Sequence, residues 1–201
     1  MEIEIKLRPA SRAAARAAFS DEGLFPALGE TDSIEMHTVY YTDRRGVIPR
    51  SRWMLRLRRE NEKSLCAFKA PPVGSARLEL EHPAADIQSG AALLCQDPAL
   101  PKEVRAILQE GELIPLCGAR FTRLVRRCAF GAAVFDLALD EGILTGGGRT
   151  APLLELELEL VSGPEDALKA ASAALSARHE LEPLLLSKQQ QAMALCTEAQ
   201  P

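Results

Sequence analysis

The chain has 201 residues with a net charge of -4 and a pI near 5.5. That length suits one domain with a proper core over residues 1–201, and the charge balance speaks against a general nucleic-acid partner, which calls for a basic excess. With 47% hydrophobic and 26% charged residues, disordered and fibrous classes are set aside.

The elements read in chain order. Residues 2–8 alternate polar and apolar, the pattern of a half-buried strand. Ser11 is placed to cap a helix over the Ala-rich stretch ending near Gly23. Alternation returns over about 33–42, 53–60, 64–70 and 76–82, predicting four more strands. Pro101 to Glu110, closed by Gly111, has the helical spacing of Val104, Ile107 and Leu108. Strands follow over about 119–130, 133–140 and 152–161, then a helix from Gly163-Pro164 to about His179 and a last one after Ser187. Most strands are sequential neighbours with short turns, which favours an antiparallel meander or barrel over a parallel sheet.

Several signals are declined. Gly142 to Gly147 followed by Gly148-Arg149-Thr150 has Gly148 where a phosphate-binding loop requires Lys, and no βα unit surrounds it, so it reads as a flexible hairpin loop. The five cysteines include no C-x-x-C pair, and His37, His82 and His179 lack metal spacing. The amino terminus has no signal pattern, and no apolar run approaches the roughly 18 residues of a membrane span. A cytoplasmic protein without a membrane partner is expected.

In a strand, residues two apart share a face. Glu2, Glu4 and Lys6 therefore point one way while Ile3, Ile5 and Leu7 point the other. The arrangement repeats at Arg56 and Arg58, at Glu79 and Glu81, at Asp136 and Asp140, and at Glu155, Glu157 and Glu159. Solvated sheet faces usually mix neutral polar residues with Lys, and like charges placed opposite each other destabilise a sheet; here, Lys6 apart, the ionic faces are segregated into acids and bases. If the strands close into a barrel, ionic faces turned outward leave the amphipathic helices little to pack on. Ionic faces turned inward give the helices an apolar exterior and make the lumen a charged tunnel. Unpaired charges in a water-poor cavity cost several kcal/mol each, so such a tunnel calls for metal cations and a polyanion rich in phosphate oxygens.

With these residues in place, the sequence resembles the CYTH family, the triphosphate tunnel metalloenzymes, whose signature is an amino-terminal E-x-E-x-K, here Glu2-Ile3-Glu4-Ile5-Lys6. Tyr40-Tyr41-Thr42-Asp43, Leu55-Arg56-Leu57-Arg58, Ala67-Phe68-Lys69-Ala70, Arg77-Leu78-Glu79, Arg123, Ala138-Leu139-Asp140, Glu157-Leu158-Glu159 and Leu186-Ser187-Lys188 continue the match in order. Arg126 and Arg127 crowd the place of Arg123. The resemblance implies an α+β fold: a closed eight-stranded, mainly antiparallel β-barrel with helices packed outside. It implies Mg2+ or Mn2+ held by Glu2, Glu4, Asp140, Glu157 and Glu159, with Glu79 and Glu81 as further acidic candidates and Glu155 an extra acid on the same face. Glu4, Asp140, Glu157 and Glu159 would be the catalytic acids, and Lys6, Arg56, Arg58, Lys69, Arg123 and Lys188 would bind the triphosphate. The residue types suit the chemistry: hard carboxylate oxygens for the metal, and guanidinium forks for phosphate.

Within the family the substrates include inorganic triphosphate, thiamine triphosphate, RNA 5' triphosphates and ATP for cyclisation. Thiamine triphosphatases carry a Trp two residues before the first Arg of the basic strand, whereas Trp53 lies three before Arg56, which puts its ring on the opposite face. Nothing but Met1 precedes Glu2, unlike class IV cyclases. The Leu-Glu run, Val161-Ser162-Gly163 and Leu186-Ser187-Lys188 are most similar to bacterial inorganic triphosphatases, which often carry a downstream helical CHAD domain that these 201 residues do not include. The expectation is a metal-dependent hydrolase acting on a small-molecule triphosphate, inorganic triphosphate first. The rival from another class is a non-catalytic polyphosphate- or nucleotide-binding module; a lipocalin-like carrier would want an apolar lumen.

Overall fold

A computed structural model of the chain describes residues 3–72 and 78–197. Glu2 and Arg77, both singled out in the sequence, lie outside the described residues. Among those described, nine strands form one sheet: β1 (Glu4–Arg8), β2 (Asp32–Asp43), β3 (Met54–Glu60), β4 (Lys63–Lys69), β5 (Glu79–Pro83), β6 (Leu113–Phe130), β7 (Ala133–Gly146), β8 (Arg149–Ser162) and the two-residue β9 (Glu182–Pro183). All neighbouring strands are antiparallel, in the order β5-β4-β3-β2-β6-β7-β8-β1-β9.

In a flat sheet, β1 and β5 would lie about 34 Å apart at normal strand spacing. Instead Glu4 and Lys6 of β1 line the same chamber as Lys69 of β4 and Glu79 of β5, so the sheet wraps round on itself. The expected closure differs in one respect. Among the described residues no hydrogen-bonded seam joins β5 to β1 or β9, and the tunnel wall is a curled open sheet.

The apolar strand faces turn outward under helices α1 (Arg12–Phe19), α2 (Val47–Arg50), α3 (Ile87–Gln96), α4 (Lys102–Glu110) and α5 (Glu165–His179). Ser11 caps α1 as expected, its Oγ accepting from the Ala14 N–H at 3.1 Å. α1 and α5 bury Ala15, Phe19, Leu168 and Leu175 against Leu7, Leu137, Leu139, Leu156 and Leu158 of β1, β7 and β8. α2, α3 and α4 cover Leu55, Cys66 and Phe68 of β3 and β4. α3, not among the helices expected from the sequence, carries Gly90 in its middle. That glycine is where the helix meets β4: a Cβ there would lie 2.3 Å from that of Cys66.

Helix α6 (Lys188–Thr197) departs from the expectation that the helices lie outside. Ala192 and Leu195 pack on Cys117, Ala119, Phe121, Leu144 and Leu153. The strand registers put these residues on the same face as Arg56, Arg58 and Arg123, so α6 enters the concave side. The cause is in the sequence. At this end of β6, β7 and β8 the inner face carries Cys, Ala, Leu and Gly instead of charges, and that surface needs an apolar cover. Gly146 lets the helix in close, since a Cβ there would lie 2.3 Å from the Ala192 carbonyl oxygen.

The segment 142–150, expected as a flexible hairpin loop, is mostly strand. β7 and β8 pair as far as Gly146 and Arg149, and the turn is Gly147-Gly148 alone, with φ of 56° and 75°. Two positive φ values in succession mark the hairpin turn whose twist suits antiparallel strands. β6 likewise starts at Leu113, before the expected 119. Tyr41 pairs with Pro115 and Tyr40 with Cys117, so Leu116 is the extra residue of a bulge, which accommodates a proline that alternation alone reads as a break.

Candidate functional site

The lumen has two differently built arcs. The acidic arc follows from register. Glu159 lies opposite Glu4, Glu157 opposite Lys6, and Glu155 opposite Asp140, which in turn faces Arg123 across β6 and β7. Two of those pairings set like charges side by side, an arrangement that holds only with cations between them. Three cations are there. Lys6 Nζ lies 2.8 Å from Glu157 Oε1 and 3.3 Å from Glu4 Oε1. Arg123 grips Asp140 with two parallel bonds of 2.7 Å, Nε to Oδ1 and Nη2 to Oδ2, and Nη2 also donates to Glu157. Lys188 Nζ, at the first turn of α6, reaches Asp140 Oδ2 at 2.6 Å and Glu157 Oε1 at 2.9 Å, and donates to Glu155.

Asp140 and Glu155 are wholly inaccessible and Glu157 is nearly so. Burial alone would raise the Glu157 carboxyl, but Lys188, Lys6 and Arg123 outweigh it and hold it well below the usual carboxylate range. Burial dominates for Glu155, which is pushed up despite Lys188. Burial would lower Lys188, yet the surrounding carboxylates raise it. Asp140, Glu155 and Glu157 each offer an oxygen within 4.8 Å of the others, a group able to hold a metal ion.

The basic arc is built on β3, β4 and β5. Arg56 and Arg58 sit on β3 and Lys69 on β4. Glu79 and Glu81, placed among the metal candidates by the sequence, stand on β5 in this arc rather than with Asp140. Glu79 Oε1 lies 2.8 Å from Lys69 Nζ, and Glu81 Oε1 lies 3.5 and 3.8 Å from Nη2 of Arg58 and Arg56. The acids and bases that the sequence segregates by strand are thus paired across strands. Among the described residues Arg56 Nε is buried without a hydrogen-bond acceptor, a donor that an anionic guest would satisfy. Burial, then the neighbouring Arg56 charge, lowers the Arg58 guanidinium.

Lys6, Arg56, Arg58, Lys69, Arg123 and Lys188 all line one chamber of about 380 Å³, with Glu4, Glu60, Glu79, Glu81, Glu157 and Glu159. Glu60 was not singled out in the sequence, although it continues the Arg56, Arg58 alternation; its Oε1 lies 2.7 Å from Arg58 Nε. The three crowded arginines separate clearly. Arg123 faces the chamber. Arg126 points outward and is buried, donating to the Phe19 and Phe25 carbonyls. Arg127 pairs with Asp136 at the exposed end of the ladder. The cysteines are all free, and burial pushes the thiols of Cys66 and Cys117 up to about 12, which suits inert packing.

These features define an antiparallel β-tunnel protein with helices on its outer face and a lumen of matched acids and bases. A family model described as the CYTH domain matches residues 1–192, and the chain belongs to the CYTH domain family. Among solved structures, the HpAC1 protein of Hippeastrum, described as having a dominant triphosphatase activity, is 23% identical with a TM-score of 0.72, covering 96% of each chain. The bh2851 protein of Bacillus halodurans is 16% identical, with a TM-score of 0.56, and covers 95% of this chain and 96% of its own. PH1012 of Pyrococcus horikoshii is 19% identical, with a TM-score of 0.53, and covers 94% and 99%. At these identities the likeness is one of fold. Comparison with curated proteins finds no match. Among the described residues no helix is long and apolar enough to cross a membrane.

Proposed function

We propose that this chain hydrolyses inorganic triphosphate to diphosphate and phosphate, with Mg2+ or Mn2+ as cofactor. The observation that carries the reading is the convergence of six cationic side chains, contributed by β1, β3, β4, β6 and α6, on one chamber of about 380 Å³ that also holds a run of carboxylates. A linear polyanion is the guest that engages all six cations at once. The carboxylates add the means to hold a hard divalent ion, which an anion-binding module alone would not need. In the acidic arc Glu4, Asp140, Glu155, Glu157 and Glu159 outnumber Lys6, Arg123 and Lys188 by two, the charge of one divalent ion.

The residues have separable tasks. Arg56, Arg58 and Lys69 bind and neutralise phosphoryl oxygens from the basic arc, and Lys6, Arg123 and Lys188 do so from the acidic arc, so the chain is held extended between them. Glu4, Asp140, Glu157 and Glu159 are the acids proposed to hold the metal and orient the attacking water. When bound, Mg2+ or Mn2+ polarises phosphoryl oxygens and acidifies water. As the water oxygen bonds to the terminal phosphorus, the bridging P–O bond in line with it breaks, diphosphate leaves with the electron pair, and the proton the water loses passes to solvent.

One observation favours a second reading, a triphosphate ester. A cavity of about 690 Å³ adjoins the chamber at Glu4, Lys6 and Met54, with Trp53, Pro71, Pro72, Leu184 and Met193 in its walls. Such walls suit an organic group on the terminal phosphate. Phosphate release from inorganic triphosphate, ATP and thiamine triphosphate, each with Mg2+ or Mn2+, separates the readings. Tight binding without release from any of them would leave a non-catalytic module. Turnover by Glu4→Gln equal to wild type at saturating metal would sink the metal-ligand assignment.

A further inference from the structure

Strand β2 stands between the basic strand β3 and the Arg123 strand β6, and the side chains it gives to the chamber, Met36, Thr38 and Tyr40, are uncharged. Tyr40 lies directly opposite Arg56 on one side and Cys117 on the other. Its side chain and that of Arg56 therefore leave the same face of the sheet about 5 Å apart. The Tyr40 ring belongs to the apolar cluster beneath α6, with Met54 and Cys117, and the residue is only 4% exposed. A phenylalanine would fill that place equally well; the hydroxyl adds nothing to the packing. Among the described residues it makes no hydrogen bond, although a phenol taken out of water ordinarily finds a partner. On the same rung, Arg56 Nε is a second donor without an acceptor among the described residues. One anionic oxygen can accept from both.

Burial pushes the Tyr40 phenol up, and the charges of Arg56, Lys188 and Lys6 pull it down without overcoming burial. The hydroxyl therefore keeps its proton at neutral pH and is a donor there. The three cations that act on it come from three separate elements, β3, α6 and β1, which surround the guest proposed above. We infer that Tyr40 is a substrate-binding residue, its O–H donating to a phosphoryl oxygen that Arg56 Nε also holds. It supplies a neutral donor at a point where a further cation would be repelled by Arg56. The inference rests on the proposed function for the identity of the guest, a phosphate chain, and not for its hydrolysis.

The test is Tyr40→Phe in the full chain, with calorimetry of inorganic triphosphate in the presence of chelator and kinetics in the presence of Mg2+. Kd and KM are each expected to rise at least about tenfold, the size of a hydrogen bond to a charged partner, with kcat within about threefold. Without ligand, Tm is expected to equal or exceed that of wild type, since the hydroxyl has no partner to lose. Tyr41→Phe is the control, because Tyr41 packs on the outer face with the cluster under α2, α3 and α4. It also leaves Tyr40 as the single tyrosine of a chain that has two. This variant is expected to bind triphosphate as wild type does, and its ultraviolet difference spectrum to show the red shift of a phenol that has begun to donate. Unchanged triphosphate affinity in Tyr40→Phe would overturn the inference, as would a lowered Tm without ligand or the absence of a tyrosine signal in Tyr41→Phe. Should Tyr40→Phe fail to fold, that spectrum decides. Weaker binding by Tyr40→Phe in a chain that releases no phosphate would sink hydrolysis and keep the inference; turnover with an unaltered Tyr40→Phe would do the reverse. A wild type that binds no triphosphate would sink both.

Discussion

Two rungs of the same ladder carry the same pair of residues in the same geometry. Arg123 on β6 faces Asp140 on β7, and four residues along Arg127 faces Asp136. Both pairs are bidentate, with bonds of 2.7 and 2.7 Å in the first and 2.9 and 3.0 Å in the second. The first is buried, with Asp140 fully inaccessible, while Arg127 is half exposed. The first also has third and fourth partners, since Glu157 shares Arg123 and Lys188 shares Asp140. Geometry is therefore not what distinguishes the two rungs. Removal from water, together with further charges that cannot all be satisfied pairwise, turns an ordinary cross-strand ion pair into part of a chamber.

The difference predicts unequal costs. Arg123→Ala would take the two-bonded partner from buried Asp140, leaving it Lys188 alone, and would remove one cation from Glu157, so a destabilisation of about 3 kcal/mol in denaturant unfolding is expected, with a fall in kcat/KM of at least about 100-fold. Arg123→Lys keeps the charge but not the fork and should fall between this variant and wild type. If Arg123→Ala proves no more costly than Arg127→Ala, burial is not the deciding factor. Metal linkage comes next. Mn2+ at about 100 times its Kd is expected to stabilise the wild type by about 2.7 kcal/mol, a gain reversed by chelator and largely lost in the Glu4→Gln, Glu159→Gln double variant. An undiminished gain in that variant would move the metal elsewhere.

A third pair lies between the extremes. Asp21, after α1, accepts from His179 Nε2 at 2.8 Å and sits 2.9 Å from Arg178 Nε at the end of α5. The His179 hydrogen bond lowers the Asp21 carboxyl; burial opposes this, and the Leu24 N–H and Arg178 reinforce it. A depressed carboxylate contributes stability above its unfolded pKa and loses it as pH falls through the folded value. Asp21→Asn should therefore lower Tm by about 2–4 °C at neutral pH, with the gap to wild type closing below about pH 4. A gap that stays constant through that range would mean that the carboxylate charge is not what ties α1 to α5.

Much of this was legible from alternation. Glu4, Lys6, Arg56, Arg58, Asp140, Glu157 and Glu159 could be put on inner faces because a strand has period two, and helices α1, α4, α5 and α6 showed their caps and spacing. What alternation cannot give is which strand stands opposite which. Glu79 and Glu81 carry the same signal as Glu157 and Glu159 but lie on β5 beside Lys69 and Arg58, so they pair with bases there. The same gap hid α6. Its small and apolar residues fit an outer layer as well as an inner one, and only the row of Cys117, Ala119, Leu144 and Leu153 across three strands reveals a concave surface in need of cover. The crowding of Arg123, Arg126 and Arg127 shows the rule and its limit together: parity separates Arg126 from the other two, but only the fold separates Arg123 from Arg127.

The smallest effect tests that last separation most sharply. Asp136 lies directly opposite Glu159 on β8, which itself faces Glu4 on β1, so by position it continues the acidic arc. By environment it does not. Its carboxylate is already paired with Arg127 in water-accessible surroundings, where such pairs contribute little, and it does not line the chamber. Asp136→Asn and Arg127→Ala are therefore expected to leave Tm within about 2 °C of wild type, as for other exposed ion pairs, and kcat/KM for inorganic triphosphate within about twofold. Raising the ionic strength should erase even that difference, since exposed charges are screened where the Arg123 rung is not. A tenfold loss of activity in Asp136→Asn, with Tm and Mn2+ binding unchanged, would extend the substrate path to the end of the ladder and make the exposed rung the entrance of the tunnel.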